Sequence, residues 1–212
     1  MRLVEMLIDI VFPPRPSELV VRAMHDDSLP QLLSPSVISL GDLSAVGLLP
    51  YSNSEVQSCI IETKYHGNAQ ATTHLACTLH EYLLDLIADL RDLSSGSFVL
   101  VPVPLSSSRL RERGYNQTER IAREALQGLE AHLHLATDTL LRTRDTLPQT
   151  SLGGHARLRN VEGAFVAKGP CNRAHTYIVF DDVITTGATL SQAVRALKNA
   201  GATDVQALAL AH

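Results

Sequence analysis

Residues 177–190, YIVFDDVITTGATL, restrict the fold of this chain more than any other segment. The apolar run 177–180 predicts a buried strand, because a strand covered on both faces of a parallel sheet is continuously apolar. Two carboxylates, several small residues and the beginning of a helix at residues 190–200 follow it. This order predicts a unit of an open α/β sheet, in which ligands bind beyond the carboxyl ends of the strands.

The loop after this strand, which we place at residues 181–189, is suited to a sugar phosphate. Backbone N–H groups and threonine hydroxyls at the start of a helix can bind a phosphate, and a glycine permits its close approach. Asp181 and Asp182 would repel that phosphate, so we expect them to face vicinal hydroxyls or a hydrated cation. An ordinary turn capped by an aspartate is the competing interpretation. The predicted phosphate-binding residues are Thr185, Thr186, Gly187, Ala188 and Thr189.

Short apolar runs alternate with helical patterns between residues 98 and 212, and this alternation predicts a doubly wound, mostly parallel α/β sheet. Near the N-terminus, we expect a helix within residues 3–12 that ends at the following prolines, and an extended segment at residues 37–40. The other expected strands are 98–104, with prolines at its C-terminal end, 140–141, 161–166 and 205–210. The other expected helices are 54–65, 69–93 and 117–129, with a polar loop at 105–114.

The charge distribution points to the middle of the chain as the place for an anionic ligand. A net charge of −4 gives no electrostatic footprint for general nucleic-acid binding. However, nine of the 15 arginines lie between residues 109 and 159. Arginine is suited to bidentate phosphate contacts. A solvated helix surface is the alternative for part of this excess.

The cysteines and the N-terminus suggest a reduced, cytoplasmic protein. Cys59, Cys77 and Cys171 are widely spaced, so they indicate neither a disulfide framework nor a zinc site, and we expect buried thiols. The apolar stretch 3–12 is too short and too charged to span a membrane. We therefore expect a cytoplasmic location and no membrane association.

Residues 177–190 resemble the signature of type I phosphoribosyltransferases, which is an aliphatic run, two acids, a variable pair and T-T-G-x-T. The resemblance implies a ligand, 5-phosphoribosyl-1-pyrophosphate (PRPP). Asp181 and Asp182 would bind its ribose hydroxyls, and residues 185–189 would bind its 5-phosphate. Mg²⁺ would arrive with the ligand near the two acids, with no direct metal ligand from the protein.

Residues 101–117, VPVPLSSSRLRERGYNQ, resemble the ComF-type competence proteins, a branch of the phosphoribosyltransferase-like group. Segments at 48–51, 64–67 and 142–165 resemble that family too. The segment 142–159 would close over the pyrophosphate, or is a solvated loop without function. Tyr115 and Asn116 are expected to pack against and cap the next helix. The implied pyrophosphate and ligand contacts are Arg109, Arg111, Arg113, Ser106, Ser107 and Lys64, although alternating arginines leave at least one as a surface charge.

The resemblance begins near residue 47, which predicts an N-terminal segment, 1–46, and a phosphoribosyltransferase-like domain with a helical hood, 47–212. Relatives open with an L-F-P-P-x-C motif and a zinc ribbon of four cysteines. Here Pro16 stands where the first cysteine is expected, and no cysteine occurs before Cys59. We therefore predict no zinc, and a DNA contact through a ribbon is in doubt.

Two functions are compatible with these residues. The first is an enzyme that uses Mg²⁺ and transfers phosphoribosyl from PRPP to an unidentified acceptor, for which Tyr51 and Tyr65 are the aromatic candidates. The second is a non-catalytic accessory protein of competence or DNA uptake. It would handle single-stranded DNA with a DNA-processing protein partner, or regulate through PRPP. A homo-oligomer is compatible with both.

Overall fold

The computed structural model describes residue 9 and residues 13–90, 97–143 and 163–212. The strands are β1 (Ser36–Ser39), β2 (Ser44–Leu49), β3 (Phe98–Pro102), β4 (Leu133–Leu135), β5 (Leu140–Arg142), β6 (Phe165–Ala167), β7 (Thr176–Val183) and β8 (Asp204–Ala211). The helices are α1 (Pro16–Ala23), α2 (Ser54–His66), α3 (Ala69–Leu90), α4 (Ser107–Arg113), α5 (Gln117–Ala125) and α6 (Ala188–Asn199). A 3-10 turn spans Pro30–Leu32.

Six strands form the main sheet in the order β1-β2-β8-β7-β3-β4. Only the edge pair β1–β2 is antiparallel, and the other four pairings are parallel. β5 and β6 form a separate antiparallel pair. The prediction of a mostly parallel sheet is therefore confirmed.

Helices cover both faces of this sheet. Ile178 and Phe180 of β7 pack into a cluster with α1, α2, α3 and α5. Tyr177 and Val179 face the opposite way, into a cluster with α6 and the β5–β6 pair. Because successive strand residues point to opposite faces, a strand covered twice must be apolar at every position. The sheet is thus doubly wound, as predicted.

The polar loop predicted at 105–114 is wrong, because residues 107–113 form α4. The Ser106 side chain accepts a hydrogen bond from the Arg109 amide at 3.4 Å and caps the first turn. Gly114, with φ of 77°, ends the helix in the left-handed conformation. The helix was missed because seven mostly polar residues carry no apolar stripe.

The sequence also failed to predict α1, β2 and β4. Pro16 occupies the first turn of α1, where a missing N–H costs nothing, so this proline begins a helix. Residue 47 lies within β2, which pairs with β1 on one side and with β8 on the other. The predicted division between residues 46 and 47 therefore falls inside a strand of the main sheet.

Several predicted elements lie partly or wholly outside the described residues. The helix predicted within residues 3–12 lies outside the described residues apart from residue 9. The end of the helix predicted at 69–93 and most of the segment 142–159 also lie outside them.

The three cysteines differ in their exposure. Cys59 is buried, and burial raises the pKa of its thiol to about 12. Cys77 is exposed and Cys171 is partly exposed, so the expectation of three buried thiols is wrong. Within the described ranges, no helix has the length and apolar character needed to cross a membrane.

An ion pair between a half-exposed arginine and a buried glutamate joins the start of α1 to α2. The Glu62 side chain is fully buried, and its two carboxylate oxygens accept hydrogen bonds from Arg15 Nε at 3.0 Å and Nη2 at 2.8 Å. Ser17 Oγ donates to the same carboxylate at 2.6 Å. The hydrogen bonds from Arg15 and Ser17 hold the pKa of Glu62 below its ordinary value, although burial opposes them.

We predict that Arg15→Met lowers the free energy of unfolding by about 1–3 kcal/mol at pH 7, because the buried Glu62 carboxylate loses its cation. The pKa of Glu62 is lowered by folding. Its contribution is therefore present above its unfolded pKa and is lost as the pH falls through the folded pKa. Urea denaturation should show the two proteins converging below about pH 4. Arg22→Met, on α1 with the partners Asp9 and Glu18, is the control and should cost less than Arg15→Met, because this ion pair is exposed to solvent.

Candidate functional site

The two acids lie at the carboxyl end of β7. Asp181 and Asp182 belong to the strand, so the predicted loop is shorter than 181–189. The ladder between β7 and β3 ends at the pair Phe180 and Pro102, whereas β7 stays paired with β8 as far as Val183. The two carboxylates therefore project beyond the end of β3, at the rim of the sheet where ligands of such folds bind.

Asp182 is held by two other segments of the chain. Its side chain is nearly buried and faces the layer formed by α2 and α5. Lys64 Nζ, from α2, lies 3.2 Å from Asp182 Oδ1 and 3.1 Å from Oδ2. Gln117 Nε2, from the first turn of α5, donates to Oδ2 at 2.8 Å. Both oxygens of this carboxylate therefore have a partner inside the fold.

The ionisation of Asp181 depends on its surroundings. Its Oδ1 accepts a hydrogen bond from the Asp182 amide at 2.8 Å. Burial, together with the neighbouring Asp182 charge, raises the pKa of Asp181 to about 7, although Lys64 and Arg142 act in the opposite direction. Burial also lowers the pKa of Lys64, but the Asp182 and Asp181 charges outweigh it, so this pKa is raised. The site thus combines a permanently charged lysine with an acid that titrates near neutral pH.

The connection from β7 to α6 supplies the small residues of the site. The Ile184 amide donates to the Ala211 carbonyl at 2.8 Å, which fixes the start of this connection to β8. Gly187 caps α6 with φ of 70°, and an added Cβ would collide with the Leu40 side chain. Position 187 therefore requires glycine for two reasons, its backbone conformation and the space around it.

A cavity of about 300 Å³ lies between the end of β7, the start of α6, α2 and the residues after β3. Its lining includes eight residues of the predicted site: Lys64, Arg109, Asp181, Asp182, Thr185, Gly187, Ala188 and Thr189. Tyr51 and Tyr65, the predicted acceptor candidates, also line it. The structure thus brings together acids, cations and threonines, and the roles assigned to them from the sequence stay predictions.

Five other predicted residues, all within the described ranges, lie outside this lining: Ser106, Ser107, Arg111, Arg113 and Thr186. Ser106 is buried as the cap of α4, whereas Ser107 and Arg111 are exposed to solvent. Arg111 is therefore the arginine that behaves as a surface charge. Arg113 Nη1 donates to Gln117 Oε1 at 3.0 Å, and its guanidinium lies 5.0 Å from the centre of the Tyr65 ring. Thr186 Oγ1 accepts from the Ala188 amide at 3.5 Å.

Sequence reasoning missed Gln117 and Arg142 as lining residues of the cavity. Gln117 was present in the recognised pattern around residues 101–117, but a buried amide has no signal of its own in a single sequence. Tyr115 and Asn116 behave as predicted. Asn116 Oδ1 accepts from the Thr118 amide at 3.2 Å and caps α5, and Tyr115 Oη donates to the Thr63 carbonyl at 2.8 Å.

We predict that Asp181→Asn raises the melting temperature at pH 8. Folding raises the pKa of this acid, so its contribution to stability falls as the pH rises from about 4 to about 7. Asparagine removes the charge and keeps the acceptor for the Asp182 amide. Calorimetric melting should show a gain at pH 8 that disappears near pH 4, with about 2–4 °C for each kcal/mol in a chain of this size. Asp26→Asn, at an exposed acid, is the control, and equal gains for both variants would contradict the assignment.

We predict that Gly187→Ala is more destabilising than Gly41→Ala. Both glycines have positive φ, but an added Cβ at Gly41 meets no atom within 4 Å, whereas at Gly187 it meets Leu40. The left-handed conformation alone costs alanine about 1–2 kcal/mol. The collision should add about 1–3 kcal/mol at residue 187. Chemical denaturation of the two variants measures this difference, and equal losses would show that the space above Gly187 is irrelevant.

No protein-family model matches the chain. It is 36% identical over 107 residues to the DNA utilization protein YhgH of Escherichia coli (strain K12), a match that covers 50% of this chain and 46% of that protein. It is 31% identical over 115 residues to competence protein F of Haemophilus influenzae, covering 53% and 49% of the two chains. It is 33% identical over 113 residues to competence protein ComFC of Streptococcus pneumoniae, covering 53% and 47%.

A hypoxanthine phosphoribosyltransferase from Staphylococcus aureus superposes on the chain with a TM-score of 0.37 and 12% identity, over 62% of this chain and 61% of that chain. The chain spans about half the length of the relatives that it matches in sequence. Over that half, the chain is similar to competence protein F and to competence protein ComFC, in line with the resemblance of its motifs.

Proposed function

We propose that this chain binds PRPP with Mg²⁺ and transfers its phosphoribosyl group to an acceptor, releasing pyrophosphate. One observation carries the proposal. The two acids at the end of β7, the threonines before and within the first turn of α6, and three cationic side chains all line a single cavity. An anion-binding part at the start of α6 and a hydroxyl-binding part at the end of β7 fit a pentose that carries a phosphate.

The ligand would be held at three points. The 5-phosphate would lie against residues 185–189, where amide groups at the start of α6 favour an anion. The ribose hydroxyls would donate hydrogen bonds to Asp181 and Asp182, which only accept when ionised. The pyrophosphate would lie toward Arg109, whose guanidinium can donate two bonds to it at once. A cavity of about 300 Å³ is at the small end of the range for ligand sites, which suits a sugar phosphate.

The donor set at the site fits a magnesium ion that the ligand brings with it. Lys64 already neutralises Asp182 at 3.1 Å, so a cation bound directly to this carboxylate would have to displace the lysine. Asp181 can bind a hydrated cation through its water shell. When bound, Mg²⁺ would neutralise the pyrophosphate as it leaves.

The protein's own contribution to transfer would be to position the ligand and to stabilise charge. As the bond from the ribose carbon to pyrophosphate breaks, positive charge develops on the sugar. Fixed carboxylates close to the ribose hydroxyls would stabilise it electrostatically. The acceptor would enter beside Tyr51 and Tyr65, and its bond to the ribose carbon would replace the one that breaks. Holding both reactants in one cavity lowers the barrier by removing the entropy of their encounter.

The names of the relatives favour a second function, in which the site is retained in an accessory protein of competence or DNA uptake. Such a protein would bind single-stranded DNA. The exposed Tyr65 ring lines the cavity and has the Arg113 guanidinium 5.0 Å from its centre, and this pair is suited to stacking on a base. Pyrophosphate release, measured with PRPP, Mg²⁺ and a panel of bases and amines, separates the two functions. Release that depends on an acceptor supports the enzyme. PRPP binding without release, together with DNA binding that PRPP alters, supports the accessory protein.

We predict that the double variant Asp181→Asn, Asp182→Asn binds PRPP at least tenfold more weakly than the unmodified chain at pH 8. Each hydrogen bond to a charged group is worth about 1.5–3 kcal/mol, and both acceptors lose their charge. Isothermal titration calorimetry with PRPP and Mg²⁺ measures the affinity. The control is Asp26→Asn, Asp27→Asn, which removes the same charge from two adjacent exposed acids. Unchanged affinity in the site variant, with the fold intact by circular dichroism, would rule out the proposed role of the acids.

A further inference from the structure

Gln117 is a buried side chain that uses both ends of its amide inside the site. It is 3% exposed, and its Nε2 donates to Asp182 Oδ2 at 2.8 Å. Its Oε1 accepts from Arg113 Nη1 at 3.0 Å. One side chain therefore connects the acid at the end of β7 to the last residue of α4.

The chemistry of the two partners fixes the orientation of this amide. A carboxylate can only accept a hydrogen bond, and a guanidinium can only donate one. Turning the amide over would place its oxygen against the Asp182 carboxylate and its N–H₂ against the Arg113 guanidinium, so both contacts would become repulsive. The contacts thus admit a single orientation of Gln117.

The backbone that carries Gln117 is attached to the end of β3. Asn116 caps α5, and its Nδ2 donates to the Val103 carbonyl at 3.1 Å. Thr118 Oγ1 donates to the same carbonyl at 3.0 Å. Because residues on both sides of Gln117 are bonded to one carbonyl, its amide occupies a defined position above the end of the sheet.

Charged or apolar side chains of similar length cannot make the same two contacts at neutral pH. An ionised glutamate would face the Asp182 carboxylate, and a lysine would face the Arg113 guanidinium. A methionine of similar length would leave one acceptor and one donor without this partner. The charged groups around the position are Lys64 from α2, Arg113 from α4, Asp181 and Asp182 from β7, and Arg142 from β5.

We propose that Gln117 is a positioning residue for ligand binding. It holds the Asp182 carboxylate in the orientation that accepts the ribose hydroxyls, and it couples Arg113 and the Tyr65 ring to that carboxylate. The inference rests on the proposed function, since it assigns the positioned group to the proposed ligand. Gln117 itself has both amide ends occupied within the protein and acts through Asp182.

The test compares PRPP affinity between pH 6 and pH 8.5 for the unmodified chain, Gln117→Glu and Gln117→Met. At pH 8, both variants should bind at least tenfold more weakly. As the pH falls, Gln117→Glu should approach the unmodified chain, because a protonated glutamate donates its O–H to Asp182 and accepts from Arg113 through its carbonyl. Gln117→Met should keep a constant deficit relative to the unmodified chain. A side chain that only fills space would give the same deficit at every pH for both variants, and that result would overturn the inference.

Gln127→Glu, at an exposed position beyond the end of α5, is the matched control and should follow the unmodified chain at each pH. Melting curves at each pH show whether a variant is folded. If Gln117→Glu is unfolded at high pH, the PRPP affinity of Gln117→Met alone tests the inference. Wild-type affinity in a folded Gln117→Met variant contradicts the inference.

A measurement without ligand separates this inference from the proposed function. In a nitrogen-15 labelled sample, the side-chain amide signal of Gln117 is identified by its loss in Gln117→Met. It should exchange with solvent at least tenfold more slowly than that of Gln127, and it should shift in Asp182→Asn and in Arg113→Met. If the unmodified chain binds no PRPP while this signal behaves as expected, the proposed function fails and the hydrogen-bonded arrangement stands. An amide signal that exchanges like Gln127 and ignores both substitutions overturns the inference.

Discussion

The arrangement of the site depends on how the fold accommodates a nearly buried carboxylate, Asp182. A buried charge is tolerated only when a counter-charge and hydrogen-bond donors reach it. Here Lys64 provides the charge from α2 and Gln117 the second donor from α5. Each comes from a different segment, so satisfying this one group fixes α2, α5 and the end of β7 relative to one another. At the neighbouring Asp181, burial and the charge of Asp182 raise the pKa.

The order of strands explains why the polar groups meet at this place. β7 lies between β3 and β8, and β3 ends before β7 does. The rim beyond β3 is therefore open, and the residues that follow β3 border the same space as the connection from β7 to α6. A parallel sheet brings the segments that follow its strands to one edge. Arg109, which follows β3, therefore shares a cavity with Asp181, Asp182, Thr185, Gly187, Ala188 and Thr189, and Lys64 reaches the same cavity from α2.

Local sequence patterns predicted the part of the site that lies within one segment. One short segment contains the apolar run 177–180, the two acids and the threonines before α6. Because these residues are adjacent in the chain, their chemistry can be inferred from the sequence alone. Gln117 and Arg142 could not be found in this way, because their part in the site arises from packing between distant segments.

Some elements of the fold were also missed, because their local sequence carries no clear pattern. β2 contains Ser44, Ala45 and Gly47, whose small size hides the alternation of apolar and polar residues expected of a strand. Position 47 has no room for a larger residue, because an added Cβ would lie 2.6 Å from His212 Nδ1. α4 is too short and too polar to show helical periodicity.

The pair formed by Arg15 and Glu62 has a consequence for how this protein can be shortened. Glu62 precedes Lys64 by two residues on the same helix, and its carboxylate is neutralised from the N-terminal segment. A recombinant fragment that begins at residue 47, where the family resemblance begins, would discard Arg15, β1 and the first half of β2. α2, which places Lys64 beside Asp182, would then carry the buried Glu62 carboxylate without the Arg15 cation. Boundaries drawn by similarity alone would thus disturb a cavity whose lining, among the described residues, begins only at Tyr51.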